Sequence, residues 1–485
     1  MAAKNNARTT GVGASQASRA TLLWTVIGYG LMILGAIGAL CLICSYGETL
    51  LAPSATAARP FAEVSAQKPD GFLHLLVALT AVVITGQTLA RGFAYLGQPP
   101  VIGEVVAGIV LGPSLLGPQA SALILPPAVA PFLGAMAQLG VLLYMFLVGL
   151  ELPADQIRQR AHATVATSHA SILVPFLLGA LLTLDLYPRY SSSHVPFTSF
   201  ALFMGVAMSI TAFPVLARIL TDSRMIRTEL GVIALSCAAT DDVTAWCLLA
   251  LVVGVAQTRV GAGLVVAVGT LAYLALMVLL ARPLLRRIVA RWETERLPRG
   301  AVAFVFVALL LSALTTEYIG IHAIFGAFLL GVVIPHDSAV ARAFPHQLEA
   351  VVTVLLLPAF FAYTGMRTRI DLVASLDQWV SCGLIILVAT LGKFGGTFVA
   401  ARLTGLDWRQ AAALGTLMNT RGLMELIVLH IGLDLKVISP TLFTMMVLMA
   451  LVTTMVTSPV LRLLIPPAVA RDETERDRFA SKNQE

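Results

Sequence analysis

The chain has 485 residues, of which 58% are hydrophobic and only 12% charged, with a mean hydropathy of +0.87. Soluble globular chains carry about a quarter charged residues, so a water-soluble enzyme, a disordered chain and a coiled coil are excluded. The net charge of +6 is not gathered into a basic patch apart from the apolar runs. It reads as membrane topology rather than nucleic-acid binding.

The apolar runs are about 20 residues long, which predicts membrane-spanning helices; strands need only about 10. Fourteen occur, at 22–44, 71–90, 99–116, 130–152, 161–186, 198–220, 226–256, 260–282, 300–318, 320–335, 346–370, 376–404, 410–432 and 436–465. The first is set apart by a loop rich in Pro, Ala and Ser over 45–70. Its 23 residues exceed the roughly 7–15 of a signal-peptide core, so it reads as an uncleaved anchor; as a signal peptide it would be cut near Ala55-Thr56-Ala57. The chain is thus expected to divide into an N-terminal tail, extra helix and external loop (1–70), a transmembrane domain (71–465) and a short charged tail (466–485), with no regulatory domain expected to follow. Cys41, Cys44, Cys237, Cys247 and Cys382 all lie in apolar runs. They read as small packing residues rather than a disulfide framework or a redox or metal site.

Lys and Arg counts orient the spans. With the N-terminus in the cytoplasm, 23 of the 32 cationic residues fall in cytoplasmic segments and 7 outside, leaving Lys393 and Arg421 within spans. Both termini are therefore expected in the cytoplasm. The loop from Arg282 to Arg299, with six arginines, anchors the centre of the chain to that face.

A short pattern recurs. Gly103-Glu-Val-Val-Ala-Gly108-Ile-Val-Leu-Gly-Pro113 resembles Gly326-Ala-Phe-Leu-Leu-Gly331-Val-Val-Ile-Pro335 at a spacing of 223 residues. Each is followed by a span ending in Gly then a charge, Gly149-Leu-Glu151 and Gly365-Met-Arg367. By the span count the two copies run in opposite directions, the pattern of an inverted-repeat secondary transporter. Gly-x4-Gly also recurs simply because small residues help helices pack.

Six ionisable residues sit deep in the spans: Glu104, Asp241, Asp242, Lys393, Arg421 and Glu425. Each such group is unfavourable by about 2.5–3.5 kcal/mol at the bilayer centre on insertion scales. A structural ion pair needs one acid and one base, but here two adjacent aspartates meet one lysine. Adjacent helical side chains point about 100° apart, so one carboxylate can pair with Lys393 while the other faces a cavity. A desolvated carboxylate can be neutralised by a proton or by a cation, and two neutralisers competing for one site is the minimal chemistry of exchange. Two spans are also interrupted. Ser209-Ile-Thr211-Ala-Phe-Pro214 breaks one through its proline, and Met418-Asn419-Thr420-Arg421-Gly422 breaks the other. Non-helical backbone at membrane depth is tolerated only where it lines protein or a cavity, and matched interrupted spans point to a transport site.

Here the residues reach a family. Thr240-Asp-Asp-Val-Thr-Ala-Trp-Cys-Leu-Leu-Ala250 resembles the signature of the monovalent cation:proton antiporter-2 family, and is similar to plant cation/proton exchangers and bacterial sodium or potassium/proton antiporters. Gln98 to Pro113, Gly392-Lys-Phe-Gly-Gly396 and Met418 to Ile427 resemble its first core helix, its lysine-bearing helix and its second broken helix. The likeness runs in order over about residues 71–465. It implies an all-α membrane protein of thirteen helices in an inverted repeat with two crossed broken helices, to which residues 22–44 add an extra helix. It further implies a homodimer in a lipid bilayer, expected to be the bacterial inner membrane. By the resemblance Asp242 binds the transported cation or proton and Asp241 pairs with Lys393. Thr211, Pro214, Asn419 and Thr420 would line the helix breaks, with Thr240, Glu104, Arg421 and Glu425 in support. No cofactor is implied; the partners are Na⁺ or K⁺, and H⁺.

The leading expectation is a secondary transporter exchanging a monovalent cation for protons by alternating access. A passive cation channel would want a filter run or rings of acids, and neither occurs; an ion-sensing membrane protein is a further alternative. An intramembrane aspartyl protease needs two aspartates facing each other, whereas Asp241 and Asp242 diverge on one helix. An ATP-driven pump lacks its phosphate loop, since Gly392-Lys393 is followed by Phe394. Stoichiometry stays open at this point. Two acids with a lysine resemble the electrogenic pattern, whereas a permanently paired Lys393 leaves one-for-one exchange.

Overall fold

The computed structural model describes residue 28 and residues 30–53, 71–151, 161–192, 194–226, 228–257, 260–292 and 297–465. The N-terminal tail, the Ala55-Thr56-Ala57 triplet and the tail from 466 lie outside the described residues. Among the described residues all regular structure is helical. In chain order the helices are α1 Gly30–Gly47, α2 Gly71–Tyr95, α3 Pro100–Leu111, α4 Ala130–Glu151, α5 Ala161–Tyr190, α6 Phe197–Ser209, α7 Phe213–Asp222, α8 Glu229–Gln257, α9 Val260–Leu276, α10 Arg299–Ile319, α11 Ala323–Val333, α12 Leu357–Arg367, α13 Leu376–Thr390, α14 Trp408–Met418, α15 Leu423–Asp434 and α16 Pro440–Leu464. Wide π-helical turns extend three of them. Met277–Ala281 continues α9 into Arg282–Val289, Val352–Leu356 leads from Ala339–Val351 into α12, and Leu391–Gly395 carries α13 on into Gly396–Leu403.

Among the described residues each predicted apolar segment contains helix, but not every one is a full span. Eleven helices among the described residues are long and apolar enough to cross a membrane, while Pro100–Leu111 and Ala323–Val333 are shorter. Both short helices stop where a proline is near. Pro113 and Pro335 disfavour helical backbone in the residues before them. The segment expected at 410–432 is split into α14 and α15 around Asn419 to Gly422.

Backbone contacts between helices sit at glycines. A Cβ on Gly108 would meet Phe361 O at 2.1 Å, and one on Gly365 would meet Gly108 C at 1.9 Å, so α3 and α12 cross backbone to backbone. The same holds for α4 and α11, where a Cβ on Gly149 would meet Phe328 O at 2.3 Å and one on Gly331 would meet Phe146 O at 2.4 Å. Gly103 lies likewise on Leu89 O of α2, and Gly326 on Ser312 O of α10. The contact pattern therefore occurs twice, with α2, α3 and the α12 crossing in one copy answered by α10, α11 and the α4 crossing in the other.

The helices gather into two bundles. One holds α2, α3, α4, α10, α11 and α12; the other holds α5 to α8 and α13 to α16. Contacts are dense within each bundle and sparse between them, with α9 leaning on α8 and α10 at the side. Small residues and Thr hydroxyls bonded to the preceding turn, such as Thr416 to Ala412 O and Thr453 to Met449 O, let polar side chains sit inside these bundles. α1 is almost wholly exposed; it reaches the second bundle where Gly47 meets the Phe197 ring and Glu48 accepts from Thr198 at 3.0 Å.

Candidate functional site

α6 and α7 form one interrupted rod, as do α14 and α15, and the two interruptions meet. The first spans Ile210, Thr211 and Ala212. Pro214 stands second in α7, and a continuous helix would have driven its ring into the carbonyl of Ile210, which is where α6 stops. The second interruption spans Asn419 to Gly422 and contains no proline. The two chains are tied by Ala212 N donating to Thr420 O at 3.0 Å. They approach so closely that a Cβ on Gly422 would lie 2.7 Å from Val215 Cγ2.

A helix ending inside a membrane leaves four carbonyls without amide partners, and those of α6 are all met. Val206 O accepts from Ser209 Oγ at 2.8 Å. Ala207 O and Met208 O accept from Arg421 Nη1 at 3.0 Å and Nη2 at 2.7 Å. Ser209 O accepts from Lys393 Nζ at 2.6 Å. Two cations thus stand at the negative end of a buried half-helix, where its dipole favours them. The end of α14 is met without charge. Asn419 N and Thr420 N turn back onto Gly415 O and Leu417 O, and Thr211 Oγ1 lies 3.3 Å from Met418 O.

Lys393 lies in the wide turn Leu391–Gly395, with all three of its donors engaged. Beyond Ser209 O they go to Ser171 O at 2.9 Å and Asp241 Oδ2 at 3.0 Å. The Ser171 carbonyl is free because Pro175, one turn on in α5, has no amide proton to give it. Glycines make the approach feasible: a Cβ on Gly392 would lie 2.8 Å from Pro175 Cα, and one on Gly396 2.8 Å from Val174 Cβ.

The two aspartates of α8 stand in opposite situations. Asp241 Oδ1 accepts from Ser168 Oγ at 2.7 Å. Its Oδ2 accepts from Ser171 Oγ at 2.7 Å, from Lys393, and from Thr211 Oγ1 at 3.1 Å. Asp242 is 1% exposed, yet neither of its oxygens has a hydrogen-bond partner. It borders a small space of about 10 Å³ with Ile210 of the first interruption, Ala245 and Leu249 of its own helix, and Met424 and Val428 of α15. Asn419 Oδ1 and Thr420 Oγ1 are likewise buried without partners.

The structure therefore brings Asp241, Lys393 and Thr211 together, with Asp242, Pro214, Asn419 and Thr420 on the same crossed assembly. Arg421 and Glu425 form a separate buried pair at 2.9 Å, one turn apart at the start of α15. Two of the expected supporting residues make other contacts. Thr240 gives its hydroxyl to Ser236 O at 2.9 Å. Glu104 lines a cavity of about 210 Å³ with Tyr144, Arg218, Leu357, Phe361 and Leu423. Ser168, Ser171 and Thr454 were missed by sequence reasoning. The available signal was two serines at helical spacing, Ser168 and Ser171, one turn before a proline in an apolar run. Thr454 carries a bond from Arg421 N at 2.9 Å and has no such mark. No cluster of three or more His, Cys, Asp or Glu that could hold a metal occurs among the described residues, and all five cysteines are free thiols.

Comparison with known proteins gives a consistent picture. A family model described as "Sodium/hydrogen exchanger, transmembrane" matches residues 76–465. The chain is 43% identical over 400 residues to "Na(+)/H(+) antiporter NhaS4" of Synechocystis sp., covering 81% of this chain and 98% of that one. It is 37% identical over 425 residues to "Cation/H(+) antiporter 20" of Arabidopsis thaliana, covering 84% of this chain and 50% of that one. It is 34% identical over 387 residues to "K(+)/H(+) antiporter 1" of Saccharomyces cerevisiae, covering 77% and 44%. The chain thus spans about half the length of the plant and yeast relatives. Among solved structures, the sodium proton antiporter MjNhaP1 of Methanocaldococcus jannaschii superposes with a TM-score of 0.61 at 15% identity, over 82% of this chain and 98% of that one, a likeness of fold.

Proposed function

Since the chain belongs to the sodium/hydrogen exchanger family, we propose that it exchanges Na⁺ or K⁺ for protons at Asp242 by alternating access. The observation that carries this reading is a buried carboxylate with no internal partner beside a second carboxylate that is fully satisfied. Removing a carboxylate from water without pairing it is expensive, so such a group calls for an external neutraliser. A proton and a monovalent cation both serve, and each displaces the other. Oxygen atoms suit these hard cations, and Asn419 Oδ1 and Thr420 Oγ1 are buried acceptors on the same crossing.

In this reading Asp241 and Lys393 form the fixed strut that joins α8, α5 and the end of α6. Arg421 and Glu425 anchor the second interruption to the first. The twofold glycine pattern supports two halves of opposite orientation, each supplying one broken helix, within a thirteen-helix unit plus α1. The two bundles supply the parts that move, one carrying Asp242 and the other the frame against which it shifts. The Lys and Arg bias supports both termini in the cytoplasm, which puts the Glu104 cavity on the cytoplasmic side. A homodimer through the frame bundle and a bacterial inner membrane complete the proposal.

The test is proteoliposomes with an imposed pH gradient and a pH-sensitive dye, given Na⁺, K⁺ or Li⁺ in turn. Proton movement driven by one cation and absent from Asp242→Asn is the expected result. Equal proton movement in the variant would remove Asp242 from the mechanism, and flux far above carrier turnover would replace exchange by a channel.

A further inference from the structure

The seam between the two bundles is not uniform along its length. At one end it holds the cavity of about 210 Å³, walled by Glu104, Tyr144 and Leu357 of the frame bundle and by Pro214, Arg218 and Leu423 of the other. At the other end, eleven residues further along α15, it narrows to about 30 Å³ between Gln138, His322 and Tyr363 on one side and Ile427, His430 and Asp434 on the other. Leu423 and Asp434 are the first and last residues of α15, and Arg367 is the last residue of α12. At the narrow end an ion pair crosses the seam: Arg367 Nη1 of one bundle donates to Asp434 Oδ1 of the other. The buried pairs Lys393–Asp241 and Arg421–Glu425 stay within a single bundle.

What lies beneath this ion pair fixes its geometry. The Arg367 guanidinium sits over the Tyr363 ring at 4.6 Å, a favourable cation–π placement. The Tyr363 ring lies 5.2 Å from that of His430, which also meets Phe360 and Phe443, each at 5.6 Å. His430 is 7% exposed; its Nδ1 lies 3.5 Å from Thr364 Oγ1 and its Nε2 has no partner. The space beside it is large enough for a water molecule, so this stack is a polar plug rather than a sealed apolar core.

Resting on the exchange reading above, we propose that Arg367 and Asp434, stacked on Tyr363 and His430, form the latch that closes the seam at this end. Its opening is the step that exposes the Asp242 site to the side away from the Glu104 cavity. The latch is suited to repeated opening. A part-exposed ion pair is worth no more than about 1 kcal/mol, small enough to break and re-form within a transport cycle, while the ring stack restores its register each time.

The test places a reporter cysteine at Ile431, on the wall of the narrow cavity, in membrane vesicles of the full chain. A membrane-impermeant maleimide is added from the Arg367 side, and labelling is counted above that of the same chain without the reporter. Labelling is slow in the parent. It should rise about two- to fivefold in Asp434→Asn and in Arg367→Gln, the range set by a part-exposed pair, and return to the parent rate in the charge swap Arg367→Asp with Asp434→Arg. Unchanged labelling in both single variants overturns the latch, as does a swap that stays as fast as they are. Should one single variant fail to reach the membrane, the other and the swap carry the same comparison. Labelling does not depend on transport. A charge-dependent shift in a protein that moves no protons with any cation would keep the latch and discard exchange; exchange in the parent with charge-independent labelling would do the reverse.

Discussion

Asp241 has four donors within hydrogen-bonding distance, whereas both Asp242 oxygens are buried without one, so neutralising each should have opposite consequences. Asp241→Asn leaves the Lys393 charge without its counter-ion at 0% exposure. Breaking one side of a buried pair is destabilising by about 3–5 kcal/mol. Asp242→Asn removes an unpaired buried carboxylate and should leave stability unchanged or raise it. Thermal unfolding in detergent checks this: the melting temperature should fall clearly for Asp241→Asn and Lys393→Ala and hold or rise for Asp242→Asn. Ser168→Ala and Ser171→Ala should fall between, each losing one hydrogen bond to a charge, worth about 1.5–3 kcal/mol. A fall for Asp242→Asn equal to that for Asp241→Asn would mean that the two carboxylates share one network. The division of labour was partly legible in the sequence. Two acids and one base imply an odd carboxylate, but which one pairs depends on where Pro175 frees the Ser171 carbonyl and on where α6 ends, and neither follows from the span itself.

At the scale of helices, glycine contacts fall into two kinds with different expected outcomes. At Gly365 a Cβ would meet backbone, Gly108 C at 1.9 Å, so α3 and α12 must separate. Gly365→Ala should lower stability by about 1–3 kcal/mol, as overpacking does, seen as loss of folded protein on heating. At Gly422 a Cβ would meet a side chain rather than backbone, Val215 Cγ2 at 2.7 Å, and because that β-branched side chain has little freedom to turn, the non-helical link gives way instead. Gly422→Ala should keep the melting temperature within a few degrees yet slow exchange, because the two interruptions are pushed apart at the crossing. An unaltered exchange rate would show that the crossing distance is not critical. The breaks themselves were readable, since Pro214 and the polar run from Asn419 to Gly422 stand out in apolar surroundings. The accounting of the freed carbonyls was not. Arg421 reaches from the second break to Ala207 O and Met208 O of the first, a partnership across more than 200 residues that leaves no mark on local pattern.

For the whole molecule, hydropathy gave the membrane class and the order of the helices, because the bilayer constrains each span separately. It could not divide the helices into bundles, since that depends on which faces meet. The glycine repeat hinted at a doubled arrangement without saying that α3 would lie on α12, or α4 on α11. A carrier with one competing site makes a further demand on the molecule as a whole. If proton and cation occupy the same Asp242 carboxylate, the cation binds only its ionised form, and raising the pH removes its competitor. The apparent KM for the cation should therefore fall as pH rises, by up to about tenfold per unit where the site is mostly protonated, and then level off, because the coupling between two ligands is reciprocal. Initial rates of cation-driven proton movement, measured in proteoliposomes with the same pH on both faces, give the slope directly. The maximal rate should fall at the alkaline end, where too few protons remain for the return half of the cycle. A KM that ignores pH while exchange continues would place cation and proton on different groups, and Glu104, in the wide cavity at the mouth of the seam, would be the next carboxylate to neutralise.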